Sequence, residues 1–217
     1  MIDTKRLLDQ LVGSGVAGGL AGGLAGGALA NVLSGKKGRK LAGSALKVGG
    51  LALVGGLAYK AWQNYQQGSG QPSPQSPGTV ALPPAGSAFL PPEEDRAGTG
   101  ALSLLLARAM IAAAKADGQI DTQESQAILN QINGLDLPAD DKAFLFEEYG
   151  RPLDIAALAR DVDSPEHAAE VYTAAMLMVD PPSPPERIFL DTLANALGLE
   201  SGLVQQIQAT VAANRIG

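Results

Sequence analysis

The strongest constraint on this chain is an uncharged run of 25 residues, Leu11–Gly35, that is rich in glycine. Its glycines include two adjacent rows with a spacing of four residues, Gly15, Gly19, Gly23 and Gly18, Gly22, Gly26. On a helix these rows form one flat stripe, which allows a second helix to approach closely, as in membrane helix pairs. In water, each glycine costs a helix about 1 kcal/mol relative to alanine. The run therefore favours a helix that lies in lipid or against a partner helix.

The run is long enough for a membrane span, because a bilayer core of about 30 Å needs roughly 20 apolar residues. A second apolar stretch, Leu41–Tyr59, is interrupted by Lys47, and its uncharged part is too short to span alone. Basic residues between the stretches are expected to face the cytoplasm or anionic lipid: Lys36, Lys37, Arg39 and Lys40. The residues after the second stretch resemble an interfacial belt: Tyr59, Lys60, Trp62 and Tyr65. We interpret residues 1–65, the head segment, as membrane-associated and helical, with one span, two spans or a surface position left open.

Two other interpretations of the head segment remain open at this point. A helix that self-assembles without lipid fits the glycine stripe and would produce a homo-oligomer. A secretory signal fits the basic start, the apolar core and the A-x-A-like site Ala28-Leu29-Ala30. Asp3 and Asp9 lie in the part of the chain that such signals keep basic, which disfavours this second alternative.

Residues 66–98 differ in composition from both of their neighbours, because Pro, Gly, Ser and Gln dominate them. Proline removes backbone donors, and Gly and Ser raise the entropy of the chain, so no periodic apolar face arises. We interpret this segment as a disordered linker. Its apolar residues, Val80–Leu82 and Phe89–Leu90, could dock on another segment, but isolated apolar residues in a linker are expected to have no structural role.

Charge is strongly divided along the chain. Residues 1–67 carry a formal charge of +6, residues 68–98 carry −2 and residues 99–217 carry −10, which gives the net −6. A negative chain is a poor ligand for nucleic acid over its whole surface. There is no Cys and a single His, His167, which excludes disulfides, Cys nucleophiles and sites with two imidazoles. The composition therefore argues against an enzyme.

From Thr99 onward, apolar residues recur with the period of an α-helix. The first helix is expected to end near Asp117, and its apolar face comprises Leu102, Leu105, Leu106, Ala109, Met110 and Ala113. Asp121 and Glu124 form a capping-box pattern for a second helix, which Gly134 ends. Two further helices are predicted at about 139–149 and 152–161.

Ser-Pro pairs then mark the starts of two helices, because Ser caps a helix and Pro is favoured at its first position. The pair Ser164-Pro165 starts the fifth helix, and Ser183-Pro184 starts the sixth, which Gly198 ends. The residues expected to face inward are Val171, Tyr172, Ala175, Met176 and Val179 on the fifth helix and Phe189, Leu193, Ala196 and Leu197 on the sixth. A seventh helix is predicted from about Ser201 to Asn214. Residues 99–217 therefore predict an all-α domain of seven helices.

The stretches Ala116–Glu124 and Val179–Glu186 share one pattern, in which an apolar helix ends in Asp, a short turn follows and a capped helix begins. At these turns the sequence resembles the TerB-like tellurite-resistance family, over Ala114–Glu124 and Asp180–Leu199. The whole arrangement is similar to a bacterial inner-membrane group with a Gly-rich N-terminal segment and a C-terminal TerB-like domain. The resemblance implies a seven-helix bundle and a non-catalytic role in stress or metalloid response.

Five acidic residues at the two related turns are candidate ligands for a hard divalent cation: Asp117, Asp121, Glu124, Asp180 and Glu186. Capping of helix ends accounts for the same residues without a metal. The spacing differs from that of an EF-hand, and Pro181 and Pro182 occupy the second turn where the first has Gly118. No cofactor other than such a cation is indicated.

Together these observations predict a membrane-tethered, non-catalytic adaptor in a bacterial inner membrane, with its C-terminal domain in the cytoplasm. In this interpretation residues 1–65 bind the membrane, residues 66–98 provide reach and residues 99–217 present an acidic helical surface to protein partners. The alternatives are a glycine-zipper protein that self-assembles or forms pores, and, as a weaker hypothesis, a soluble enzyme.

Overall fold

The computed structural model describes residues 5–6, 8–9, 50–68, 82–84, 86–92, 95–116, 139–179 and 182–214. Across these residues there are seven α-helices and no β-strand. The helices are α1 (Gly50–Gln66), α2 (Arg96–Ala114), α3 (Ala139–Gly150), α4 (Ile155–Arg160), α5 (Pro165–Met178), α6 (Pro184–Ala196) and α7 (Ser201–Ala213). The all-α class predicted from the sequence is confirmed.

Helices α2 and α5 form the centre of the body, and they pack along each other. The predicted apolar face of α2 is buried, from Leu102 at 3% exposed to Ala113 at 0%. Helix α5 is buried over almost its whole length, from Ala168 to Met176. The stretch Ala97–Ala114 of α2 is also the one window in the described residues that is long and apolar enough to cross a membrane. Its mean hydropathy is 1.5, and 56% of it is buried inside the body, as in the core helix of a soluble domain.

Side-chain caps fix the starts of several helices. The backbone N–H of His167 donates to Ser164 Oγ at 3.1 Å, and Pro165 opens α5 as the Ser-Pro pair predicts. The carboxylate of Asp154 accepts from the N–H of Ala157 at 2.8 Å, so α4 begins at Ile155 instead of the predicted residue 152. An N-cap side chain satisfies a donor that the first turn leaves free, and this local contact decides where α4 starts.

Helix α6 begins and ends as predicted, but its buried face is rotated. Phe189 and Leu193 are buried, whereas Ala196 is exposed and Leu190 and Ala194 lie in the core instead. The buried residues form a stripe with helical spacing: Phe189, Leu190, Leu193 and Ala194. The predicted inward face shares only Phe189 and Leu193 with this stripe. Gly198 has φ +66°, a left-handed conformation that suits glycine and ends the helix.

Helix α1 belongs to the helical body, although the sequence assigned it to the head segment. Its side chains Leu51, Val54, Ala58 and Ala61 are 4%, 0%, 0% and 0% exposed, and the helix packs on α5 and α7. The hydroxyl of Tyr65 donates to Glu200 Oε2 at 2.5 Å. The body therefore begins before the predicted boundary at residue 99.

The aromatic residues of the predicted interfacial belt also contact the body. A Cβ on Gly202 of α7 would lie 3.0 Å from the ring of Tyr65, so glycine permits this close approach. Tyr59 and Trp62 are partly buried against the core. In the described structure these rings are packing groups, and their interpretation as a lipid-facing belt is corrected accordingly.

Part of the predicted linker is also packed on the body. Phe89 is 4% exposed, and its ring makes edge-to-face contacts with Tyr59 and Trp62 at centroid distances of 5.5 and 5.8 Å. The N–H of Gly86 donates to the carbonyl of Leu90 at 2.9 Å, which closes a turn around it. The expectation that Phe89 has no structural role is therefore wrong. Residues 69–81 of the predicted linker lie outside the described residues.

Other predictions also fall outside the described residues. They concern the Gly-rich run Leu11–Gly35, the basic residues 36–40 and the helix predicted from Asp121 to Gly134. On the N-terminal side of the run, Leu8 is described, and its side chain is fully buried in the core cluster of the body.

Candidate functional site

The predicted cation ligands are only partly covered by the structure. Asp117, Asp121, Glu124 and Asp180 lie outside the described residues, so their convergence remains a prediction. Glu186 is described at the start of α6, where it is 6% exposed and its Oε2 accepts from the backbone N–H of Ser183 at 2.6 Å. This bond satisfies a donor at the helix start, so capping accounts for the acidic residue at position 186. Within the described residues, no three His, Asp or Glu side chains are arranged to hold a metal ion.

A groove of about 330 Å³ lies between the C-terminal half of α2, the C-terminal end of α3 and α4. The apolar part of its lining includes Ile111 and Leu158, which are buried, and Leu153, which is 41% exposed. Its polar part carries both signs of charge: Arg108, Lys115, Glu148, Arg151 and Asp154. We call this feature the α2–α4 groove.

Ion pairs hold two of the cations in the α2–α4 groove. Arg108 Nε lies 3.4 Å from Glu148 Oε2, and its Nη1 lies 2.5 Å from Asp161 Oδ2, which ties α2 to α3 and to the end of α4. Arg151 pairs with Glu147 at 2.5 Å and also with Glu148. The Glu147 and Glu148 carboxylates raise the pKa of Arg151. Glu148, which is only 10% exposed, is shared by both arginines and forms the centre of this network.

Lys115 is bound differently, through backbone oxygens. Its Nζ donates to the carbonyl of Glu148 at 3.4 Å and to the carbonyl of Arg151, and it lies 5.8 Å from the centre of the Tyr149 ring. These carbonyls lie at the C-terminal end of α3, where a cation offsets the negative end of the helix dipole. Burial lowers the pKa of Lys115, and the nearby Glu148 carboxylate opposes this shift.

The described lining of the α2–α4 groove combines apolar side chains with charged ones. Among these described lining residues there is no Ser, Thr, Cys or His. An apolar floor with charged groups at its rim suits a peptide segment that carries an apolar side chain. Sequence reasoning missed the groove, because Arg108 and Asp161 are 53 positions apart and no local pattern links them.

A second unusual group is the carboxyl of Glu170 on α5, which is 0% exposed. Neither of its oxygens has a hydrogen-bond partner in the part of the chain that the structure describes. A Cβ on Gly55 of α1 would lie 2.9 Å from Glu170 Oε1 and 2.7 Å from the carbonyl oxygen of Phe89. One oxygen of Glu170 and one of Phe89 therefore lie against this glycine. Burial raises the pKa of Glu170 well above its ordinary value, and the nearby Glu166 carboxylate adds to the shift. In the sequence, the signal for this group is an acidic residue within the otherwise apolar stretch 168–172.

The described residues define an all-α protein in which the other helices pack around α2 and α5, and comparison with known proteins places it in a family. The chain belongs to a TerB-like family described as proteins of unknown function, DUF533, whose family model matches residues 18–211. Among curated proteins, the uncharacterised protein in the ampR 5′ region of Yersinia enterocolitica is 26% identical over 106 residues. That alignment covers 49% of this chain and 76% of the relative. No solved structure matches the chain.

Proposed function

We propose that the protein is a membrane-associated, non-catalytic adaptor, in which the residues before α1 bind the membrane and the α2–α4 groove receives a protein partner. The observation that carries the proposal is the position of α1, which follows the basic residues of the head segment and is built into the body core. The Pro-rich segment follows α1 instead of preceding it. Only the 14 residues Lys36–Gly49 separate the membrane-prone run from α1, so the body is held close to the lipid surface.

Residues on both flanks of the Gly-rich run belong to the body. Leu8 precedes the run and is 0% exposed, and Leu51 and Val54 follow it at 4% and 0% exposed. A chain that leaves a body and rejoins it must return to the side of the membrane from which it started. This arrangement supports a run that enters the bilayer and returns, or lies on its surface, and it disfavours a single crossing.

The length of chain after the run supports the same conclusion. Lys36–Gly49 comprises 14 residues with five basic side chains, whereas a helical crossing needs about 20 predominantly apolar residues. This stretch is too short and too charged to bring the chain back across a bilayer. We therefore place its basic side chains on the same side as the body, where anionic lipid head groups attract them.

Labelling of single introduced cysteines tests this arrangement, because the chain contains no Cys of its own. Lys37→Cys lies in the basic stretch, and Gln63→Cys lies on the exposed side of α1. We expect a membrane-impermeant maleimide to label both positions from the same side of sealed membrane vesicles, and carbonate to leave the chain in the membrane. Labelling from opposite sides would contradict the one-sided arrangement, and carbonate release of the intact chain would contradict insertion.

Partner binding in the α2–α4 groove is tested separately by site-specific photo-crosslinking in membranes. A photoreactive residue replaces Leu153 in the groove or, as a control, Gln205, which is exposed on α7. We expect a defined protein crosslink from position 153 that Arg151→Glu weakens, because that change reverses a charge at the rim. Equal crosslinking from both positions would contradict a partner site in the groove.

Membership of a TerB-like family supports a role for this adaptor in stress or metalloid response. Cells that lack the protein are then expected to grow more poorly in tellurite than cells that contain it. Equal growth of the two strains over the whole tellurite range would remove this part of the proposal and leave the membrane arrangement to be judged by its own test.

A further inference from the structure

The contact between Glu170, Gly55 and Phe89 joins three parts of the chain. Glu170 belongs to the central helix α5, Gly55 to α1 and Phe89 to the packed segment before α2. Glu170 Oε1 and the Phe89 carbonyl oxygen lie 2.9 and 2.7 Å from the same point, the Cβ position that Gly55 leaves empty. Two acceptor oxygens therefore approach one glycine inside the core.

The protonation state of Glu170 decides whether this contact is favourable. As a carboxylate, Glu170 can only accept hydrogen bonds, and the described residues provide no donor to either of its oxygens. As a neutral acid it carries an O–H group and no charge. An ionised carboxyl that is buried without a partner is strongly unfavourable, whereas burial of the neutral acid costs much less.

The charges near Glu170 do not favour its ionised form. Among the side chains that the structure describes, the charged ones of the helices packed on α5 are Lys60 on α1, Arg108 on α2, and Glu186, Arg187 and Asp191 on α6, while α7 has none. None of these is an electrostatic neighbour of Glu170; the charged group that acts on it is Glu166, one turn earlier on α5. Lys5 and Arg6, in the N-terminal part of the chain, are exposed. Among the described side chains, a carboxylate at position 170 would thus meet a like charge and no compensating cation.

We propose that Glu170 is a proton-dependent latch, which holds α1 and the segment around Phe89 on α5 when it is neutral and releases them when it is ionised. Movement of α1 would expose the ionised carboxyl to water, because α1 and the segment around Phe89 cover it on one side. Helix α5 itself is enclosed by α2, α6 and α7. Since α1 follows the Gly-rich run Leu11–Gly35 in the chain, the latch sets how firmly that run is connected to the body. It operates whether or not the Gly-rich run binds lipid.

The direction of the pH response follows from the raised pKa of Glu170. The folded protein holds a proton at pH values where the unfolded chain, with its ordinary pKa of 4.5, has released it. The latched state is therefore fully favoured below pH 4.5, and its advantage is lost as the pH rises through the raised pKa. Release of α1 from α5 is therefore expected as the pH rises.

Trp62 provides the measurement, because it is the only Trp of the chain and lies on α1 against Phe89. The full-length protein in non-ionic detergent is titrated from about pH 5.5 to about pH 9.5, the range in which buried carboxyls with raised pKa values ionise. We expect a red shift of Trp62 emission and stronger quenching by acrylamide as the pH rises, without a general loss of far-UV circular dichroism. Glu170→Gln keeps a donor at position 170 and is expected to abolish the transition.

Two results would overturn the latch: emission that does not change with pH in the unsubstituted protein, or a transition that persists in Glu170→Gln. Glu166→Gln serves as a second variant and keeps the test decisive if Glu170→Gln does not fold. It removes the like charge near Glu170, so the midpoint is expected to move to lower pH. An unchanged midpoint in Glu166→Gln would count against Glu170 as the titrating group.

Discussion

Truncation of Phe89 is the sharpest perturbation of the contact between α1 and the segment before α2. The side chain is 4% exposed and contacts two aromatic rings, so Phe89→Ala removes a core group together with two edge-to-face pairs. Replacement of a buried Phe by Ala costs about 3–5 kcal/mol. We expect a loss of about 3 kcal/mol in the free energy of unfolding, at the lower end of that range, because a segment between helices can partly close the cavity. This is a large share of the roughly 5–15 kcal/mol that stabilises a domain.

The assay is chemical denaturation of the full-length protein in detergent, followed both by far-UV circular dichroism and by Trp62 fluorescence. Leu82→Ala is the matched control, because Leu82 lies in the same segment but is 50% exposed. An exposed substitution of this kind changes stability by about 0.5 kcal/mol or less. A loss in Phe89→Ala as small as that in Leu82→Ala, with unchanged Trp62 emission, would refute the docking of this segment.

Three further substitutions, the first with a matched control, test other contacts. Gly55→Ala is expected to destabilise the protein, because its Cβ would meet a backbone oxygen at 2.7 Å and overpacking costs about 1–3 kcal/mol, more than the roughly 1 kcal/mol of helix propensity gained. Gly150 has open space around it, so Gly150→Ala is expected to leave the free energy of unfolding unchanged or to raise it in the same chemical denaturation. Equal losses of unfolding free energy in the two variants would contradict the close approach at Gly55. Glu186→Ala is expected to lower the free energy of unfolding by about 0.5–2 kcal/mol through the lost cap at Ser183, and to give the same heat of calcium addition as the unsubstituted protein in calorimetry. A calcium-binding signal that Glu186→Ala abolishes would instead support the metal hypothesis. Lys115→Met is expected to lower stability by about 1 kcal/mol and to raise hydrogen exchange at the end of α3; unchanged exchange there would contradict its capping role.

The starts of α5 and α6 were predictable because their causes are local. Ser164 and Pro165 lie next to the turn that they cap and open, and their residue types specify that role in any tertiary context. The inward face of α2 was predictable for a related reason, since a long helix with a continuous apolar stripe buries that stripe. On α6 the same reasoning misplaced Ala196, because alanine is tolerated on either face of a helix.

The position of α1 was not predictable from its own residues. A stretch rich in Gly, Ala and Leu fits a lipid environment and a protein core equally well, and only the partner surface decides between them. In this fold the partner is formed by α5 and α7, with Gly202 leaving room for the ring of Tyr65. Gly202 and Tyr65 are far apart in the sequence, so no periodic pattern connects them.

The two candidate sites escaped prediction for similar reasons. The α2–α4 groove depends on contacts such as that of Lys115 with the carbonyl of Arg151, and a backbone oxygen has no signature in a sequence. Glu170 fits the polar side of an exposed helix as well as a buried position, because helical periodicity alone does not reveal that α5 is covered on all sides. The acidic turns at Asp117 and Asp180 were visible in the sequence but lie outside the described residues.

Crosslinking of α1 to α7 tests most directly the claim that α1 belongs to the helical body. Cysteines replace Tyr65 and Glu200, whose side chains are joined by a hydrogen bond of 2.5 Å, and a short bis-maleimide is added to the full-length protein in membranes. The pair Lys115→Cys and Arg151→Cys, across the α2–α4 groove, reports independently that the body is folded. We predict an intramolecular 65–200 crosslink as efficient as the 115–151 crosslink. Efficient 115–151 crosslinking with no intramolecular 65–200 product would contradict the placement of α1 in the body.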